Sequence, residues 1–250
     1  MTVAKLSSLA DRPVLVAPAP FGGDLRAPVV AAAIGRALEA AGFAPPDLCP
    51  VTSGGAGTVE VLLPALGGET GDGFALVEDG GTALVEPGDD PGETARRLAA
   101  AADAGPAVIV LAAADAPAPH AAAALESFDG GARVVVLTGH GNRAPDLPRG
   151  AVAESGTRFV LEALDIDPRL RAARAVVVGT GCLDDRALRG AVEGEIAVRA
   201  RQAGVPCHMV TGALALDLFA TRILDLQRIV EAADVATIES ETGAALAPVI

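Results

Sequence analysis

The feature that most constrains the fold is a strand, a glycine turn and a helix start that follow one another in the C-terminal half of the chain. The β-branched run Ala175–Val178 predicts a buried strand, and Gly179 and Gly181 allow the backbone to turn sharply after it. Asp184 or Asp185 can then accept hydrogen bonds from the free N–H groups of a helix start. In a parallel sheet such a turn lies at the carboxyl edge, where ligands of open α/β sheets bind.

Short apolar runs separated by amphipathic segments occur along the whole chain. The apolar runs predict further strands at Val14–Ala17, Pro46–Val51, Ala107–Leu111, Arg133–Thr138, Pro206–Thr211 and Val235–Ile238. Helices are predicted around Val30, Ile34 and Leu38 and at residues 59–66, 89–102, 157–164, 186–203 and 214–232, with a short turn at 168–173. Strands that alternate with helices predict a parallel sheet with right-handed crossovers.

One pair of strands is predicted to be antiparallel, because Phe74–Glu78 and Ala83–Glu86 flank an Asp-Gly-Gly turn that favours a β-hairpin. We therefore expect an α/β fold: an open, mainly parallel sheet with flanking helices, plus a reduced inserted middle segment that contains the hairpin. Residues 1–68 and 151–250 are predicted to form a discontinuous core domain, and residues 69–150 a shortened inserted lobe.

The composition excludes some classes of partner. The net charge of −13 argues against nucleic acid and against an anionic membrane, since both require clustered Lys and Arg. The sequence shows neither a signal peptide nor an uninterrupted apolar stretch of membrane-spanning length, and three cysteines without C-x-x-C spacing suit a reducing compartment. We expect a cytoplasmic protein whose partner is a small anionic metabolite or a nucleotide, and a homo-oligomer is compatible with the sequence.

A second glycine loop lies between Thr52 and Thr58. Gly54, Gly55 and Gly57 could present N–H groups to an anion at the start of the following helix. A tight turn that needs glycine only for its geometry explains the same residues, and the sequence leaves both interpretations open.

Three segments that contain glycine follow one another as Ala17-Pro-Ala-Pro-Phe-Gly-Gly-Asp-Leu25, Pro50-Val-Thr-Ser-Gly-Gly-Ala-Gly-Thr58 and Val176-Val-Val-Gly-Thr-Gly-Cys-Leu-Asp184. They resemble, in the same order, the motifs A-P-D-S-F-K-G-S-L, P-V-A-D-G-G-E-G-T and V-I-T-G-E-G-R-L-D of the bacterial glycerate kinase family. Leu188-Arg-Gly-Ala-Val192 is similar to the family's L-x-G-K-A, which follows the third motif. The resemblance implies the family's activity, the ATP-dependent phosphorylation of D-glycerate, with ATP and Mg²⁺ as cofactors.

The departures from these motifs fall on charged positions. Family acids are replaced by Ala19, Ser53, Ala56 and Thr180, and family cations by Gly22, Cys182 and Ala191. Phosphoryl transfer depends on cations placed around the transferring oxygens, and the loss of one preorganised donor typically lowers the rate by about 10²–10³. The sequence therefore predicts a glycerate kinase-like protein with weak or lost catalysis, the alternative being a non-catalytic descendant that binds a metabolite or a partner.

The candidate site residues follow from the resemblance and from position in the predicted fold. The expected cofactor-binding residues are Gly54, Gly55, Gly57, Thr58, Gly179, Thr180 and Gly181. Asp184 is a candidate catalytic residue or a helix cap, and His140, after a predicted strand, is a candidate general base. Arg186 and Arg189 form a candidate clamp for a substrate anion, or else an ordinary solvated helix face. No metal site is predicted, because adjacent Cys207 and His208 point to opposite faces of a strand.

Overall fold

The computed structural model describes residues 12–139 and 146–250. The strands there are β1 Val14–Pro18, β2 Asp47–Leu48, β3 Gly68–Thr70, β4 Phe74–Val77, β5 Thr82–Val85, β6 Val108–Leu111, β7 Arg133–Thr138, β8 Ala151–Ser155, β9 Ala175–Thr180, β10 Cys207–Thr211 and β11 Leu226–Glu231. The helices are α1 Ala27–Ala40, α2 Thr58–Leu66, α3 Pro91–Asp103, α4 Ala118–Glu126, α5 Gly156–Ala163, α6 Ile166–Ala172, α7 Val192–Ala203, α8 Leu218–Ile223 and α9 Val235–Leu246.

These elements form two compact units. Unit 1 contains the described residues up to Pro50 together with Asp165–Leu188 and Val192–Ile250. Unit 2 contains Val51–Leu164 and Arg189–Ala191. Each unit has its own sheet and its own apolar core.

Unit 1 is built on a parallel sheet with the strand order β11-β10-β9-β1-β2. Strands β1, β9 and β10 are fully buried, which explains why their sequences are apolar runs without alternation. Helix α1 covers one face of the sheet and buries Val30, Ile34 and Leu38, the three residues predicted to share one side of a helix. Helix α9 packs against α1 in the same layer.

The chain leaves unit 1 after Pro50 and returns to it at Asp165. An ion pair within unit 1 joins the two segments on either side of this interruption. The guanidinium of Arg169, in α6, donates to the carboxylate of Asp47, in β2, at 2.6 Å. Helix α6 spans a segment in which the sequence predicted only a short turn. Pro168 occupies the first turn of that helix, where proline removes no intrahelical hydrogen bond.

Unit 2 contains a mixed sheet with the strand order β3-β4-β5-β6-β7-β8. The predicted hairpin is present as antiparallel β4 and β5, whereas β5, β6, β7 and β8 run parallel. The sequence-based division assigned residues 51–68 and 151–164 to the core domain, but in the structure both segments belong to unit 2. Strand β8 pairs with β7 along its whole length, and a Cβ on Gly54 would lie 2.5 Å from the Cα of Gly156.

The predicted long helix over residues 186–203 is interrupted. A 3₁₀ helix covers Asp185–Arg189, and α7 begins only at Val192. Gly190, between them, has a φ of 96°, a conformation that a continuous α-helix cannot contain.

The segment after β10 also differs from the prediction of one amphipathic helix over residues 214–232. Helix α8 is short, Asp225 adopts a φ of 55°, and β11 follows as an edge strand. The last predicted strand, Val235–Ile238, is the beginning of α9. A capping box between Asp234 and Thr237 starts that helix and outweighs the β propensity of Val235.

None of the helices in the described part of the chain combines the length and apolar character that crossing a bilayer requires.

Candidate functional site

The turn that follows β9 in unit 1 is fixed by hydrogen bonds to the ends of the two neighbouring strands. The amide of Ala19, after β1, donates to the carbonyl of Gly179 at 2.8 Å. The amide of Leu183 contacts the carbonyl of Ala213 at 2.9 Å and the hydroxyl of Thr211 at 3.1 Å. The carboxyl ends of β1, β9 and β10 therefore form one continuous edge.

The glycines of this turn are required by close packing within unit 1. A Cβ on Gly181 would lie 2.3 Å from the carbonyl oxygen of Phe21, and one on Gly179 would lie 2.7 Å from the Cβ of Pro18. Both distances are too short for a side chain. The segment after β1 thus occupies the space that these glycines leave free.

Thr180, between the two glycines, is almost completely buried. Its hydroxyl donates to the carbonyl of Cys182 at 3.4 Å, which closes the turn from inside.

Asp184 binds the residue two positions further along the chain. Its Oδ1 accepts a hydrogen bond from the amide of Arg186 at 2.9 Å, and its carboxylate accepts from the Nε of the same residue at 3.0 Å. This side-chain hydrogen bond to Asp184 is the main cause that raises the pKa of the Arg186 guanidinium. The acid therefore caps the backbone of the 3₁₀ helix and pairs with the nearby cation at the same time.

Glu193, in the first turn of α7, is a buried acid that the sequence did not single out. Burial raises the pKa of its carboxyl; the charge of Asp184 acts in the same direction, and that of Arg186 opposes it. Its sequence signal was only that of an acid near a helix start, a common surface pattern. The edge of unit 1 thus carries two carboxylates and one guanidinium in electrostatic contact.

The second glycine loop, in unit 2, is closed by hydroxyl groups. The hydroxyl of Thr58 donates to the carbonyl of Gly55 at 2.6 Å and lies 3.0 Å from that of Thr52. Both threonines are buried. Gly57, the residue before α2, has a φ of 81°, which favours glycine there.

Two carboxylates accept hydrogen bonds from the backbone of this loop and of α2. Asp115 Oδ2 accepts from the amide of Ala56 at 3.1 Å, and Glu86 Oε1 accepts from the amide of Val59 at 3.0 Å. Neither acid was a predicted site residue, because each is far in sequence from the loop that it contacts.

The remaining predicted residues are distributed between the units. Gly54, Gly55, Gly57 and Thr58 lie in unit 2, whereas Gly179, Thr180, Gly181, Asp184 and Arg186 lie in unit 1. Arg189 belongs to unit 2, and His140 lies outside the described residues. Across residues 12–139 and 146–250, no three His, Cys, Asp or Glu side chains are grouped as they would be around a metal ion.

Comparison with known proteins gives a family and a fold. The family model described as "Glycerate kinase family" matches residues 14–86 and 147–246, more than half of the chain. A crystal structure of a putative glycerate kinase 2 from Salmonella typhimurium LT2 aligns with a TM-score of 0.68 at 16% identity, covering 95% of this chain and 97% of that one.

A structure of a putative lyase/mutase from Burkholderia cenocepacia J2315 aligns with 21% identity over 94% of this chain and 82% of that one. Its TM-score of 0.22 is too low to indicate a shared fold. No curated protein matches the sequence. The family model, the order of the three motifs and the α/β architecture agree with one another, and the chain belongs to the glycerate kinase family.

Proposed function

We propose that this protein binds a small anionic metabolite as a member of the glycerate kinase family in which phosphotransfer is weak or lost. Family membership supports D-glycerate, or a similar small hydroxy acid, as the first ligand to test. The alternative is that an active ATP-dependent kinase survives on the same fold.

The observation that carries this proposal is the pairing of Arg186 with Asp184 at the carboxyl edge of β9. A phosphotransferase needs cations free to stabilise the charge on the transferring oxygens. Here the guanidinium next to the turn is already paired with a carboxylate. The sequence positions that resemble cationic positions of the family hold Cys182 and Ala191 here.

One observation favours the alternative. Glu193 is a buried carboxylic acid beside a charged pair, and burial raises the pKa of its carboxyl, a shift that is also found in carboxylates that act as general bases. An active kinase would therefore have a candidate base in unit 1, and only a measurement of turnover separates the two functions.

The test is a coupled ADP-release assay with ATP, Mg²⁺ and D-glycerate, run in parallel with calorimetry. We expect ADP release at the background rate or only slightly above it, and a heat of binding for D-glycerate or a related hydroxy acid. ADP added directly to the assay verifies the coupling system. Turnover clearly above background that is lost in Asp184→Asn would refute the proposal and establish the kinase.

The cellular compartment is part of the proposal, and we propose the cytoplasm. Cys49, Cys182 and Cys207 are free thiols, which supports a reducing compartment such as the cytoplasm.

A further inference from the structure

The glycine loop before α2 is the place where the sequence left anion binding open, as the alternative to a purely geometric turn. The first N–H groups of a helix have no partner inside the helix and can bind an anion. In unit 2 the amide of Val59, in the first turn of α2, already donates to the carboxylate of Glu86. The amide of Ala56, in the loop two residues before the helix, donates to that of Asp115.

Asp115 is held against the loop by the backbone as well as by its side chain. The amide of Ala114 donates to the carbonyl of Gly54 at 3.2 Å, which fixes the segment that carries the acid. A Cβ on Gly55 would lie 1.9 Å from Asp115 Oδ2. The glycine therefore makes room for a carboxylate that belongs to the protein itself.

Glu86 reaches the same helix from the neighbouring strand. It directly follows β5, which pairs in parallel with β6, and the segment with Asp115 follows β6. The segments after two adjacent strands thus each supply one acid, Glu86 to the first turn of α2 and Asp115 to the loop before it. Thr58, which could have served as a further donor, directs its hydroxyl to the carbonyl of Gly55.

We infer that Asp115 and Glu86 are internal anions that hold the glycine loop of unit 2 closed and exclude a nucleotide phosphate from it. The ATP that the family implies does not fit this loop, because its phosphate would compete for bonded amides beside two negative charges. This inference goes beyond the proposed function, since it concerns which ligands the loop does not bind and not whether catalysis occurs.

The test is the affinity for inorganic phosphate and for ATP, measured by calorimetry at constant ionic strength in the wild type, Asp115→Ala and Glu86→Gln. We expect weak binding in the wild type and at least a tenfold gain in affinity for both anions in Asp115→Ala. Asp79→Ala is the matched control. Asp79 is an exposed acid in unit 2 that accepts hydrogen bonds from the amides of Gly81 and Thr82, so its loss changes the net charge equally at another turn.

Amide hydrogen exchange gives an independent readout. The amide of Ala56 should exchange at least tenfold faster in Asp115→Ala than in the wild type, whereas Asp79→Ala should leave it unchanged. If Asp115→Ala does not fold, Asp115→Asn retains an acceptor oxygen and removes the charge, and it should still gain affinity for phosphate.

Three results would overturn the inference. They are tight ATP binding to the wild type, unchanged affinity in the folded Asp115 variants, and an equal gain in Asp79→Ala. These outcomes are separate from a failure of the proposed function, because the ADP-release assay measures turnover on D-glycerate and this experiment measures anion binding to unit 2.

Discussion

His208 shows what burial does to a single ionisable side chain. It lies in β10 with 1% of its surface exposed, and neither ring nitrogen has a hydrogen-bond partner among the described residues. Desolvation lowers the pKa of its imidazole to about 4, because a charged ring cannot be hydrated inside the sheet. The residue is a neutral core side chain in the folded protein.

This burial makes stability depend on pH. The unfolded chain binds a proton at His208 near pH 6.5 and the folded chain only near pH 4. The contribution of the neutral ring is therefore complete above pH 6.5 and decreases as the pH falls towards 4, by at most about 3 kcal/mol. Urea unfolding at pH 7 and pH 5 should show a smaller pH effect in His208→Gln than in the wild type. Equal pH effects in the two proteins would contradict this, and His120→Gln serves as the control.

Gly181 is a second residue whose environment predicts a measurable cost. In Gly181→Ala the new Cβ would meet the carbonyl oxygen of Phe21, so one of the two segments must shift. We expect the free energy of unfolding to fall by about 1–3 kcal/mol. Gly131→Ala, where no atom lies within 4 Å of the new Cβ, should change it by no more than about 0.5 kcal/mol in denaturant melts. Equal stability of the two variants would rule out the packing explanation.

At this scale the sequence located the turns but not the partners of their residues. The replacement of family charges at Thr180 and Cys182 is visible in the sequence alone. The acids Asp115 and Glu193 were not predicted as site residues, because their roles arise from contacts and burial that depend on the folded chain. A short stretch of sequence indicates which secondary structure it favours, whereas these contacts join residues that are far apart in the chain.

At the scale of elements, helices and strands with a clear apolar pattern were predicted well. Strand β9 and helix α1 have long, regular apolar faces, and the structure contains both. The segment from α8 to α9 lacks such a face, and its boundaries depend on single residues such as Asp225 and Asp234. An isolated left-handed residue or a capping box redirects the chain without changing its average hydropathy.

The apolar face of α1 can be tested directly. Leu38 is completely buried between the helix and the sheet of unit 1, whereas its neighbour Glu39 is exposed. Leu38→Ala should lower the free energy of unfolding by about 2–5 kcal/mol, because it removes apolar contacts and leaves a cavity. Glu39→Ala should change it by no more than about 0.5 kcal/mol. Chemical denaturation of both variants checks the prediction. An unchanged free energy of unfolding in Leu38→Ala would contradict the burial of this side chain in the core.

At the scale of the whole molecule, the predicted α/β fold with mainly parallel strands is confirmed, and the structure adds that the middle of the chain carries a sheet of its own. The sequence predicted one main sheet with a reduced insertion because each strand was identified separately, and pairing partners are not encoded locally. Strand β8, with mostly exposed and intermediate residues, has no apolar run and was not predicted. It is the strand that completes the sheet of unit 2.

Because unit 2 is almost continuous in sequence and has its own core, its folding can be tested alone. A fragment of residues 51–164 contains all six strands of its sheet. We expect this fragment to unfold cooperatively on heating, with a circular dichroism spectrum of mixed helix and strand. A fragment that has a random-coil spectrum, or that unfolds without a transition, would show that unit 2 depends on the rest of the chain.

The ion pair between Asp47 and Arg169 has a consequence for how such a chain can evolve. It joins the two segments of unit 1 that come before and after residues 51–164, so the chain leaves and re-enters unit 1 at neighbouring points. We expect insertions and losses of sequence between those points to leave the sheet of unit 1 intact, because none of its described strands lies there. The stretch that the family model leaves unmatched, residues 87–146, falls inside this interval. Lineages could therefore diversify the middle of the protein while inheriting the surrounding scaffold unchanged.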